Sequence, residues 1–224
     1  MKVRIFGVLL VPGLLFGLAA CGGSPEENIH DHLEKSVEIE QDAAKDQNAI
    51  VKLEKKEKAI YEKMSGLGTD DFTEMNKLAD QASANIKKRG ELIDKEKESM
   101  DESEESFSGV KDQIEKLEKK KEKTQAEEMY KAMVKRYKLY SQLNKTYKHS
   151  LSEEQKMYKL FADKKAAQDQ VKSQIEKVNL SYEKLVKDNE AFNKQTETYN
   201  KLKKAFYEST DLKVDYKDAK ETKK

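Results

Sequence analysis

The sequence predicts an all-α protein, an elongated antiparallel up-and-down helical bundle with coiled-coil-like packing. Three observations predict it. Proline occurs only at Pro12 and Pro25, so the long stretch after Pro25 carries no helix breaker of that kind. Charged residues make up 39% of the 224 residues and aromatic residues only 8%, and the bulk of the chain is drawn from Glu, Lys, Ala, Gln and Leu, all good helix formers. The sparse large apolar residues recur at spacings of three and four, which places them along one stripe of a helix. One stripe cannot hold a helix in water by itself, and short connections pack sequence neighbours antiparallel. Four helices are favoured, with three long helices as the competitor.

In chain order, residues 1–20 come first as a leader. Lys2 and Arg4 precede an almost wholly apolar run from Ile5 to Leu18, and Leu18-Ala19-Ala20-Cys21 follows. That is the order of a secretory signal, and the apolar run is too short to span a bilayer as a mature helix. The segment closely resembles the lipobox of bacterial lipoprotein precursors. The resemblance implies cleavage between Ala20 and Cys21 and a diacylglyceryl group on the Cys21 sulphur. Cys21 is the single cysteine of the chain, so an internal disulfide is excluded. Residues 21–25 then form the lipidated cysteine and a short tether, 26–209 the bundle, and 210–224 a Lys-rich tail.

The first helix is expected from about Glu26, with Ile29, Leu33, Val37, Ala44, Val51, Ile60 and Met64 on its stripe. Ser65-Gly66-Leu67-Gly68-Thr69-Asp70 supplies glycines for a C-cap and Thr or Asp for the next N-cap, so the chain should turn there. From Phe72 a seven-residue repeat runs through Ala79, Ile86, Ile93, Met100, Phe107 and Ile114. Its companion positions Arg89, Glu96 and Ser103 make that seam partly polar. Comparable helix lengths favour a turn at Ser106-Phe107-Ser108-Gly109, although the repeat passes through it. The frame restarts at Tyr130, Met133, Tyr137, Tyr140, Asn144, Tyr147 and Leu151. Ser150 with Glu153, or Ser152 with Gln155, has the spacing of a capping box and should open the last helix. That helix carries Val171, Ile175, Val178, Tyr182, Leu185, Asn189, Phe192, Thr196, Tyr199 and Phe206.

Composition narrows the chemistry. The formal charge is +1, from 44 basic and 43 acidic residues, and losing Lys2 and Arg4 with the leader makes it about −1. Nucleic acid is not an expected partner, because such proteins concentrate basic charge on one face. No phosphate loop, nucleophile elbow or metalloprotease motif is present, so no catalytic residue and no cofactor is predicted. His30 and His32 lie two apart on a helix, and His149 is distant. All three read as surface histidines, and no metal site is predicted. The carboxylate clusters, flanked by lysines, read as solvated faces.

Nine of the ten tyrosines lie beyond Met129. Tyr130, Tyr137, Tyr140 and Tyr147 fall on core-like positions, where a tyrosine buries its ring and leads its hydroxyl toward the rim. A second reading makes the same four residues glycan contacts. Lys119-Lys120-Lys121 and the tail lysines Lys217, Lys220, Lys223 and Lys224 are candidate contacts for anionic wall polymers, against the simpler reading of a solvated face.

The lipobox, the short tether and a proline-free Lys/Glu-rich body broken at Ser65-Gly66-Leu67-Gly68 resemble the YkyA-like cell-wall-binding lipoproteins of Gram-positive bacteria. The resemblance implies an all-helical, non-enzymatic protein on the outer face of the membrane, lipid-anchored through Cys21 and facing the wall. Its partners would be a wall polymer or an envelope protein. The alternatives are a membrane-tethered chaperone or assembly factor and a coiled-coil scaffold.

Overall fold

The computed structural model describes residues 23–44, 46–68 and 71–212, apart from the side chains of 42–44. The expected leader, Cys21 with Ala20, residues Thr69 and Asp70, and nearly all of the expected tail, including Lys217, Lys220, Lys223 and Lys224, lie outside the described residues. Among those described, the chain is all-α, with α1 (Pro25–Ala44), α2 (Gln47–Ser65), α3 (Phe72–Ser108), α4 (Val110–Glu115), α5 (Lys120–Phe161) and α6 (Gln168–Ser209).

Helix α1 starts on a complete capping box. The Ser24 amide donates to the Glu27 carboxylate at 2.8 Å, and the Glu27 amide donates back to the Ser24 hydroxyl at 3.3 Å. Pro25 then occupies the first helical position, where a missing N–H costs nothing. Helix α1 thus begins at Pro25, with Ser24 as its cap.

The chain divides into two compact units. The first unit takes the described residues between 45 and 96 together with Ser141–Glu190, which supplies α2, the first part of α3, the second part of α5 and the first part of α6. Within it, Asn85 donates to the Leu53 carbonyl and Gln47 to Glu96, so α3 runs antiparallel to α2. Asn144 to the Ile93 carbonyl and Gln155 to Ser83 show the same for α5 on α3. Gln174 to Glu153 and Thr146 to Asp188 show it for α6 on α5. This is an up-and-down four-helix bundle around Ile50, Ile60, Leu78, Ile86, Ile93, Leu143, Leu151, Met157, Val178 and Leu185.

The second unit takes α1, the parts of the chain in Lys97–Tyr140 and the residues from Ala191 onward. Its hydrogen bonds His30–Tyr207, His32–Ser106 and Arg136–Thr196 give antiparallel neighbours again, and α4 packs on α1. The core holds Ile29, Leu33, Met100, Phe107, Val110, Ile114, Met129, Met133, Phe192 and Phe206.

Four expectations are corrected. The first helix is two, α1 and α2, the second starting after Asp46, whose carboxylate binds Lys95 at 2.7 Å. The α2 stripe consequently buries Ile50, Glu54, Glu57, Ile60 and Met64, with Val51 only half-buried. The chain does not turn at Ser106–Gly109. Gly109 keeps right-handed helical angles, φ −62° and ψ −19°, and the turn comes at residues 116–119. A Cβ on Gly109 would sit 2.3 Å from the His32 ring, so this glycine is a notch for a neighbouring side chain.

The last helix does not begin at Ser150 or Ser152 either. Both lie inside α5, where the Ser150 hydroxyl donates to the Thr146 carbonyl one turn back at 3.1 Å, a bond that serine makes mid-helix. The real start follows residues 162–167, where Gln170 accepts from the Ala167 amide at 3.1 Å. The expected turn at Ser65–Gly68 does end α2, and α3 starts at Phe72 as the heptad pattern requires.

Candidate functional site

Three of the four singled-out tyrosines are core residues. Tyr137, Tyr140 and Tyr147 are 2%, 3% and 4% exposed. The Tyr137 hydroxyl bonds Ser103 at 2.8 Å, and the Tyr147 hydroxyl donates to Glu54 at 2.9 Å. Tyr140 meets Phe192 edge-on at 5.7 Å between centroids. Tyr130 is half-buried and stacks on Phe107 at 5.3 Å. The rings of Tyr137, Tyr140 and Tyr147 are thus held inside the bundle, where packing uses them fully.

The polar seam is real. Arg89, Glu96 and Ser103 are all buried. In the first unit the Arg89 guanidinium bridges Glu57 and Glu154, Tyr182 donates to the second Glu154 oxygen and Tyr158 donates to Glu57 at 3.3 Å. Burial, with the neighbouring Glu154 charge adding to it, pushes the Glu57 carboxyl well above the usual range, while Arg89 opposes the shift. Burial first, then Glu154 and Glu57, also raises the Tyr182 hydroxyl, so it stays a donor. The expectation that carboxylates flanked by lysines lie on solvated faces fails here, because Glu54, Glu57 and Glu154 are all buried. A buried carboxylate persists only beside a cation or a donor, and each of these has one.

The second unit uses a simpler pairing. Arg136 grips both Glu40 oxygens at 2.7 Å each, donates to Thr196 at 2.9 Å, and lies over the Phe192 ring at 4.9 Å. His30, expected at the surface, is 5% exposed and bonds the Tyr207 hydroxyl at 2.9 Å. Its burial lowers its pKa, against the pull of Glu34. His32 is half-buried and His149 is exposed, as expected for His149 alone.

A polar groove of about 630 Å³ meets solvent in the second unit, lined by Asn28, Asp31, His32 and Lys35 of α1 and, around the α3–α4 interruption, by residues that include Glu105, Gly109 and Gln113. A pocket of this size takes a small molecule or a short oligomer. His32 fixes its inner wall. Its Nδ1 lies 2.9 Å from the Ser106 carbonyl, which can only accept, so Nδ1 is the donor, and in the neutral ring Nε2 is then the acceptor. Asn28 and Gln113 bridge the groove at 3.4 Å. Sequence reasoning missed this site, because its one unusual residue, Gly109, looked like a turn signal.

Comparison with known proteins adds a family. Residues 24–209 match the YkyA family, described as "Putative cell-wall binding lipoprotein". The chain is 36% identical over 198 residues to "Uncharacterized lipoprotein YkyA" of Bacillus subtilis strain 168, covering 88% of this chain and 89% of that protein. The fold resembles that of a conserved Staphylococcus aureus protein of unknown function solved at 1.6 Å, with a TM-score of 0.69 at 19% identity, covering 81% of this chain and 93% of that one.

Proposed function

The chain belongs to the YkyA family of lipoproteins, and on that premise we propose a non-enzymatic envelope protein, anchored to the outer face of the membrane through Cys21, that binds peptidoglycan or a polymer attached to it. One observation carries the reading. The family is described as a lipoprotein and its match begins at residue 24, and the lipobox-like Leu18-Ala19-Ala20-Cys21 lies just ahead of that stretch, which supports Cys21 as the lipid-bearing residue. A diacyl anchor holds by about 0.8 kcal/mol per buried methylene, ample for stable attachment. Among the described residues no helix is long and apolar enough to cross a membrane. The described side chains also favour wall polymer over unfolded clients. Leu180, 63% exposed, is the large apolar side chain that stands in solvent among them, whereas a clasp for unfolded chains needs a contiguous apolar surface.

Two measurements test the proposal. Radiolabelled palmitate should enter the wild-type protein and not Cys21→Ser, which should leave the membrane fraction. The protein should also pellet saturably with insoluble peptidoglycan, with and without teichoic acid, and resist moderate salt. Pelleting that salt abolishes would reduce the wall contact to screened charge attraction, and no pelleting would sink it.

A further inference from the structure

Resting on the wall-binding reading, we propose that the groove between α1 and the α3–α4 interruption is the binding site, and that its ligand is an uncharged, hydroxyl-rich sugar unit of the glycan strand, not a phosphate-bearing polymer. The groove is built by a glycine. Gly109 gives up its side chain so that the His32 ring can lie against the backbone, at a separation a Cβ would reduce to 2.3 Å. With Nδ1 committed to the Ser106 carbonyl, the ring can rotate little, and its Nε2 lone pair is held as an acceptor that meets no donor among the described residues.

The chemistry of the lining selects the ligand. Asp31 and Glu105 bring two carboxylates and Lys35 one ammonium, and none of the three has an ion-pair partner among the described residues. Two acids against one base leave a formal charge of −1, which repels phosphodiesters. The acceptors are the two carboxylates and His32 Nε2, and the donors are Lys35 and the Gln113 amide. A sugar hydroxyl both donates and accepts, so a ring bearing several of them can satisfy both sets at once. An amide carbonyl of an N-acetyl group would take the Gln113 or Lys35 donor. No Phe, Tyr or Trp side chain lines the groove, so recognition here is by hydrogen bonds, and removing one should cost about tenfold, near the net worth of a hydrogen bond to a charged partner.

The test uses the full-length lipidated protein in detergent micelles and follows the three histidine ring signals by NMR while an N-acetylglucosamine tetramer is added. The His32 signals should shift saturably, with those of His30 and His149 unmoved. Glycerol 3-phosphate at the same concentrations should shift none. His32→Phe and Lys35→Ala should each weaken binding by about tenfold or more, and Lys35 is exposed, so its loss leaves the fold intact. Equal shifts at all three histidines, tight binding of the phosphate, or unchanged affinity in both variants would overturn the groove assignment. If both variants still pellet with peptidoglycan like the wild type, the groove is wrong and wall binding stands. If the wild type itself fails to pellet, the wall reading falls first.

Discussion

The two units solve the same problem, how to bury arginine in a helical bundle, in opposite ways. In the first, one guanidinium serves two carboxylates, a third carboxylate lies on the neighbouring Tyr147, and phenol hydroxyls of Tyr158 and Tyr182 complete the set. In the second, Arg136 and Glu40 match one to one with the Phe192 ring 4.9 Å from the guanidinium, and the same unit packs Phe107 against Tyr130, Tyr137 and Tyr199 at centroid distances of 5.3, 6.0 and 6.5 Å. A surplus of buried acid makes a core that depends on its cation. A matched pair beside packed rings makes one that depends on fit.

The largest effect should come from removing the cation of the first unit. Arg89→Met leaves Glu57 and Glu154 buried without it and should cost about 3–5 kcal/mol in a denaturant titration. Adding Glu57→Gln and Glu154→Gln should recover most of that loss, and failure to recover it would break the contrast. Phe107→Ala should cost a similar sum, about 3–5 kcal/mol, for a different reason, the cavity left among three tyrosines. Arg136→Met should cost less than Arg89→Met, because the Glu40 side chain keeps 12% exposure and can turn toward water.

Gly109→Ala comes next. The added methyl meets the His32 ring, and overpacking of this kind costs about 1–3 kcal/mol. Pairing it with His32→Ala should restore the thermal midpoint if the notch reading is right. The smallest effect belongs to Lys148→Ala, which breaks a 2.6 Å pair with Asp94 between two half-exposed side chains. It should change stability by less than about 1 kcal/mol.

The units should also answer pH in opposite senses. Glu57 has a raised pKa in the fold, so its contribution is full below about 4.5 and is lost as pH rises through the folded value. His30 has a lowered pKa, so its contribution is present above about 6.5 and is lost as pH falls. Glu57→Gln should therefore flatten the alkaline side of the stability profile and His30→Gln the acid side. Profiles unchanged in both variants would remove the electrostatic half of the contrast.

What the sequence made legible was local. The helix class, the turn after Ser65, the start of α3 and the inward row of Val178, Leu185, Phe192, Tyr199 and Phe206 all follow from spacing alone. Arg89, Glu96 and Ser103 also announced a polar seam by falling on a companion heptad position. The errors came where a local pattern has two physical uses. Ser150 and Glu153 have capping-box spacing, but Glu153 is instead held by Gln174 across the bundle at 2.7 Å. Glu54 and Glu57 sit in a run of lysines and look solvated, and only Tyr147 and Arg89, far along the chain, make their burial tolerable. Gly109 reads as a turn until His32 is known to lie on it. The groove was invisible for the same reason, since its two walls are separated by some seventy residues of sequence.

The capping box at Ser24 has a mechanical consequence. If Cys21 carries the lipid, two glycines separate it from the cap, a span of at most about 10 Å. Such a leash has almost no slack. Any pull from a tightening or growing wall would load the two Ser24–Glu27 hydrogen bonds first, so the strength of this clasp sets how much tension the anchor can transmit before α1 begins to unwind.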